Sequence, residues 1–202
     1  SRVTDMERIF ERATSFNGDV SKWDVSSVTT TASMFAGASL FNGGLSMWDV
    51  SSVVNMNGMF WRASSFNGDI SRWDVSRVAT MINMFNAATS FNGDISMWDV
   101  SRVVDMDYMF LGATSFKRNL CDGAWPKSKA SKIDMFTGSP GSLSQAACKS
   151  TFSSFAGRTF PSNSKLTFTT KDELNRAVVG CLQLDGQTTG PPRSEWCRPV
   201  EV

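Results

Sequence analysis

One phrase of 25 residues recurs along this chain, and its recurrence constrains the fold more than any other feature. It reads SFNGDVSKWDVS at Ser15–Ser26, LFNGGLSMWDVS at Leu40–Ser51, SFNGDISRWDVS at Ser65–Ser76 and SFNGDISMWDVS at Ser90–Ser101. A second phrase ending in Met-Phe lies between copies, as in VVNMNGMF at Val53–Phe60 and VVDMDYMF at Val103–Phe110. A unit this short buries no apolar face alone, so the copies are expected to stack into a solenoid.

The columns of the alignment predict the local structure. Val28, Val53, Val78 and Val103 are followed three residues on by Met56, Met81 and Met106. Met34, Met59, Met84 and Met109 come next, each beside Phe35, Phe60, Phe85 or Phe110. That spacing predicts a helix of about two turns, with Ser26, Ser51, Ser76 and Ser101 as N-caps. Upstream, Trp23, Trp48, Trp73 and Trp98 pair with Val25, Val50, Val75 and Val100 around Asp24, Asp49, Asp74 and Asp99. Period two there predicts a short strand with Trp and Val inward. Asn17-Gly18, Asn42-Gly43, Asn67-Gly68 and Asn92-Gly93 mark the tight turn between.

The expected fold is an α/β solenoid, leucine-rich-repeat-like, with coils rising about 4.8 Å each. Phe16, Phe41, Phe66, Phe91 and Phe116 should stack in register. Residues 1–138 would hold about five coils and a degenerate capping coil. In that last coil Ile133, Met135 and Phe136 keep the Met-Phe phrase, whereas Trp125 stands out of step. Residues 139–202 are expected to form a disulfide-containing cap, with an amphipathic helix near 171–184.

Two polar columns need partners. The Asn17, Asn42, Asn67 and Asn92 column is expected to bond turn backbone from coil to coil. Stacked carboxylates at Asp24, Asp49, Asp74 and Asp99 repel unless each meets a donor or a cation. Backbone amides at the next helix start are the expected donors. Calcium, helped by Asp19, Asp69 and Asp94, is the alternative, although Gly44 interrupts that second column.

Composition narrows the function classes. The chain has no histidine, which removes the commonest general base and zinc ligand and every Ser-His or Cys-His arrangement. Its 20 basic and 19 acidic side chains form no basic patch for nucleic acid. No apolar run approaches the ~18 residues of a membrane span. No catalytic residue and no cofactor is expected. The 4 cysteines, Cys121, Cys148, Cys181 and Cys197, all follow the last good repeat and include no CxxC pair. They read as disulfides in an oxidising, extracellular setting. Of the three possible pairings, Cys121–Cys148 and Cys181–Cys197 are the expected ones.

F-N-G-D-I-S-x-W-D-V-S followed by V-x-x-M-x-x-M-F resembles the BspA-like leucine-rich-repeat surface proteins. Their module is the DUF285 or Mycoplasma-lipoprotein-type repeat. The resemblance runs from Val3 to about Phe136 and implies a cell-surface or secreted role, with no catalytic residues to carry over. Ser1-Arg2-Val3 aligns with Ser76-Arg77-Val78, and KDELNRAVVGCLQL near the other end resembles an inter-block spacer of algal members. Neighbouring repeat blocks of a longer parent chain are therefore expected.

Columns that change from copy to copy are where a ligand would be read. Lys22, Met47, Arg72 and Met97 are outward by alternation. Ala36, Trp61, Asn86 and Leu111, and Ser33, Gly58, Asn83 and Tyr108, are expected outward too. Met47, Trp61, Arg72, Met97, Tyr108 and Leu111 are the candidate surface for a protein or glycan ligand. The expected function is a non-enzymatic adhesion or binding module on an exposed solenoid face. An architectural or spacer subunit of a larger complex is the alternative.

Overall fold

In the computed structural model, which describes residues 2–121 and 123–143, the copies stack in register, but they are not built from the predicted pieces. Among the described residues there is no α-helix and no strand beyond isolated bridges. The sole helical element is one 3-10 turn, Trp125–Lys127. The expected α/β, leucine-rich-repeat-like architecture is therefore wrong for this chain: each coil is a succession of tight turns. Parallel bridges link Asp5 to Thr30, Thr30 to Asn55, Asn55 to Thr80, Thr80 to Asp105 and Asp105 to Ser131. They delimit coil 1 (5–29), coil 2 (30–54), coil 3 (55–79), coil 4 (80–104), coil 5 (105–130) and coil 6, which starts at Ser131. All described residues belong to the compact unit Ser1–Ala156.

Backbone dihedrals explain why no helix forms. Ser33, Gly58, Asn83 and Tyr108, in the middle of the predicted helices, have φ of 53°, 60°, 58° and 59°. A right-handed helix needs a negative φ at every residue. Four residues on, Gly37, Arg62, Ala87 and Gly112 are left-handed too, at 71°, 57°, 55° and 66°. Each is the third residue of a four-residue turn. In coil 2 the Met34 amide donates to the Thr31 carbonyl at 3.1 Å, and the Ala38 amide to Phe35 at 3.0 Å. Positive φ at the third position is what a type II turn requires. Buried Met and Phe at three-residue intervals follow such turns as well as they follow a helix.

The predicted strand is likewise two turns, closed by Trp48 to Leu45 at 3.1 Å and Val53 to Val50 at 2.9 Å. The alternation of faces that suggested it is real: Trp48, Trp73 and Trp98 and the Val column are buried, and the Asp column is exposed.

Between coils the amides of Thr31, Ser33, Phe35 and Gly37 donate to the carbonyls of Asn55, Asn57, Met59 and Trp61, at 3.0, 2.8, 2.9 and 2.6 Å. The intervening amides of Met34, Ala36 and Ala38 close turns within their own coil. Beneath this ladder lie the aromatic columns. Phe16, Phe41, Phe66, Phe91 and Phe116 stack with neighbouring centroids 5.8–6.0 Å apart. Within coil 2, Phe35 lies 3.9 Å from Phe41. Each such pair adds about 0.5–1.5 kcal/mol beyond area burial. The indoles of Trp48, Trp73 and Trp98 donate to the carbonyls of Val20, Leu45 and Ile70 one coil back, at 3.0, 2.9 and 3.1 Å. Trp125, out of step in sequence, nevertheless fills the same place, fully buried and 2.9 Å from the Ile95 carbonyl.

One core position breaks the pattern. Met6, Met56, Met81 and Met106 are buried in one column, but coil 2 places Thr31 there, 0 % exposed, with no partner for its Oγ1. A buried hydroxyl without a partner is costly. Thr31→Val is expected to raise stability by about 1 kcal/mol in denaturant titration. A loss of stability would mean that the hydroxyl is satisfied in solution.

Candidate binding surface

The turns that bury the repeated residues push the variable ones outward. Met47 and Met97 each lie within the turn ahead of a buried Trp and are 83 % and 72 % exposed. Lys22 and Arg72 of the same column are exposed as well. Trp61 is 36 % exposed, and the Arg62 guanidinium carbon lies 5.0 Å from its ring centroid. Tyr108 and Leu111 are only half-buried, and Ala36 of the Trp61 column is buried. Met47, Arg72 and Met97 thus share one stretch of the coil, and Trp61, Tyr108 and Leu111 sit on another. Sequence reasoning missed Arg62, whose signal was present: its column reads Gly37, Arg62, Ala87, Gly112.

The polar columns are tied into the backbone. Asn17, Asn42 and Asn67 accept the amide of the next copy's Asn through Oδ1, at 2.9, 2.9 and 2.8 Å, and Asn92 accepts from Lys117 at 3.0 Å. Asp24, Asp49, Asp74 and Asp99 each accept the amide of the serine two residues on, at 3.0–3.1 Å. These are Asx-turns at ordinary turns, because the helix starts they were expected to cap do not exist. Asp19, Asp69 and Asp94 bond Ser21, Ser71 and Ser96 in the same way. Hydroxyl and amide donation from the following serine holds Asp19, Asp24, Asp74 and Asp99 below the ordinary aspartate range. For Asp69 the amide contributes most and the hydroxyl next.

Among the described residues no group of three or more His, Cys, Asp or Glu is placed to hold a metal ion. Burial pushes the Lys132 amine down, but its Nζ donates to the Ser128 and Ala130 carbonyls at 2.8 and 2.9 Å. It therefore caps backbone. Cys121 is disulfide-bonded. Cys148, Cys181 and Cys197 lie outside the described residues, as do the two expected pairings and the helix near 171–184. No helix among the described residues is long and apolar enough to cross a membrane.

The family model "Mycoplasma protein of unknown function, DUF285" matches residues 1–79 and 43–148. Neither a curated protein nor a solved structure matches the chain.

Lowered aspartate values fix the sign of the acid response. A carboxylate favoured in the fold contributes stability above its unfolded pKa, and that contribution is lost as pH falls through the folded value. The melting temperature should hold between about pH 7 and pH 5 and fall below about pH 4. At neutral pH, chelator should leave it unchanged. A calcium-dependent shift of several degrees would show instead that the Asp columns bind cations.

Proposed function

The chain belongs to the DUF285 family of Mycoplasma proteins of unknown function, and we propose that it is a non-enzymatic binding module of the cell surface or the secreted space. Its ligand, a protein or a glycan, docks on the outward columns. The observation that carries this reading is the exposure of Met47 and Met97, at 83 % and 72 %, within a scaffold most of whose repeated Phe, Val, Ala, Met and Trp residues are buried. Apolar side chains presented by a rigid repeat are the usual material of an interface. The absence of histidine and the engagement of the repeat aspartates in turns support a non-enzymatic role. An even cysteine count supports the oxidising setting. Neighbouring repeat blocks remain part of the proposal.

A second reading, an architectural subunit, draws on coil 1. Ile9 and Trp23 are 47 % and 39 % exposed, whereas their counterparts Met34 and Trp48 are at 0 % and 4 %. Screening the protein against arrayed glycans and purified surface proteins separates the two. A Met47→Ser/Met97→Ser double variant is expected to melt like the parent and to lose ligand affinity about tenfold or more. Concentration-dependent self-association abolished by Ile9→Ser, with no ligand captured, would favour the architectural role.

A further inference from the structure

We propose that Trp61 and Arg62 form a site for a carboxylate-bearing sugar, the uronate unit of an acidic glycan; this rests on the binding-module reading and names its ligand. Arg62 sits at φ 57°, in a column that is left-handed throughout and reads Arg12, Gly37, Arg62, Ala87, Gly112 and Gly138. Glycine adopts that conformation with least strain, and Arg62, like Arg12 and Ala87, holds it against the backbone's preference. The guanidinium lies 5.0 Å from the indole centroid. Among the described residues the ion pairs are those of Arg8 with Glu7 and Glu11, so Arg62 has no carboxylate of its own.

Its neighbours are neutral and small. The Gly37 amide donates to the Trp61 carbonyl at 2.6 Å, and the Arg62 amide to Asn86 at 2.8 Å, which sets 33–37 and 83–87 on either side of 58–62. Across those three stretches Arg62 is the sole charged residue. Asn86 Nδ2 donates to Asn83 Oδ1 at 2.6 Å. That bond leaves Asn83 Nδ2 and Asn86 Oδ1 to meet sugar hydroxyls. A planar guanidinium pairs a carboxylate through two parallel bonds. The half-exposed indole offers an apolar face to the C–H groups of a pyranose.

Calorimetric titration of the full chain with oligogalacturonate tests the site. Its methyl ester and dextran sulfate serve as comparison ligands, and Arg62→Gly and Trp61→Ala as variants. Oligogalacturonate should bind saturably. Esterification, and each variant, should weaken it about tenfold or more. Arg62→Gly should melt higher than the parent, because glycine relieves the left-handed backbone. The proposal fails if oligogalacturonate does not bind, if either variant binds it unchanged, or if dextran sulfate binds as tightly. It fails also if Arg62→Gly melts lower, which would make the arginine structural. Should this site fail while Met47→Ser/Met97→Ser still costs a captured ligand its affinity, the module reading stands and the uronate assignment falls.

Discussion

Along the first turns of coils 1 to 5 the backbone amides divide into two sets, and the rest of the described structure depends on that division. In coil 3 the amides of Met56, Gly58, Phe60 and Arg62 reach forward to carbonyls of coil 4, while those of Met59, Trp61 and Ala63 close turns in place. Coils 4 and 5 repeat the arrangement from Met81 to Ala88 and from Met106 to Ala113. Neither a helix nor a sheet satisfies backbone in this way: a helix keeps its bonds local and a sheet exchanges them all with neighbours. Here a buried, tightly turning chain meets the demand of each amide and still holds the next coil in register. The stacked phenylalanines and the indole bonds to the previous coil follow from that register.

The periodicities exposed the repeat, its core and its polar ladder, and failed on the local backbone. Phe41, Phe66, Phe91 and Phe116 are buried and stacked in the order in which they are written. The asparagine column bonds backbone from copy to copy, because a side-chain amide can do little else at a turn. The helix failed because residues three apart share a face in a chain of turns as they do in a helix, so spacing alone cannot separate the two. What separates them is φ at Ser33, Gly58, Asn83 and Tyr108. Only one of those four residues is a glycine that hints at it. Trp125 shows a tertiary override. It stands five residues after Leu120, where Trp98 stands three after Ile95, yet it reaches the same indole site.

The candidate surface was partly legible for the same reason. Alternation placed Met47 and Met97 outward, and they are the most exposed large apolar side chains of the described residues. Tyr108 and Leu111, expected beside Trp61 as exposed, are half-buried. Arg62 was missed although its variable column was legible, because nothing in the sequence sets its guanidinium 5.0 Å from the Trp61 ring centroid. A scaffold whose core columns are fixed has its chemistry in the columns that vary, and Trp61 with Arg62 is a place where that variation sets a cation beside an indole.

The division of amides is open to direct observation through hydrogen-bond scalar couplings in solution. The Phe60 amide nitrogen should couple to the carbonyl carbon of Met84, its partner at 2.9 Å in the next coil. A coupling from Phe60 to Met56 instead, four residues back, would show an α-helix there and contradict the turn-built coil.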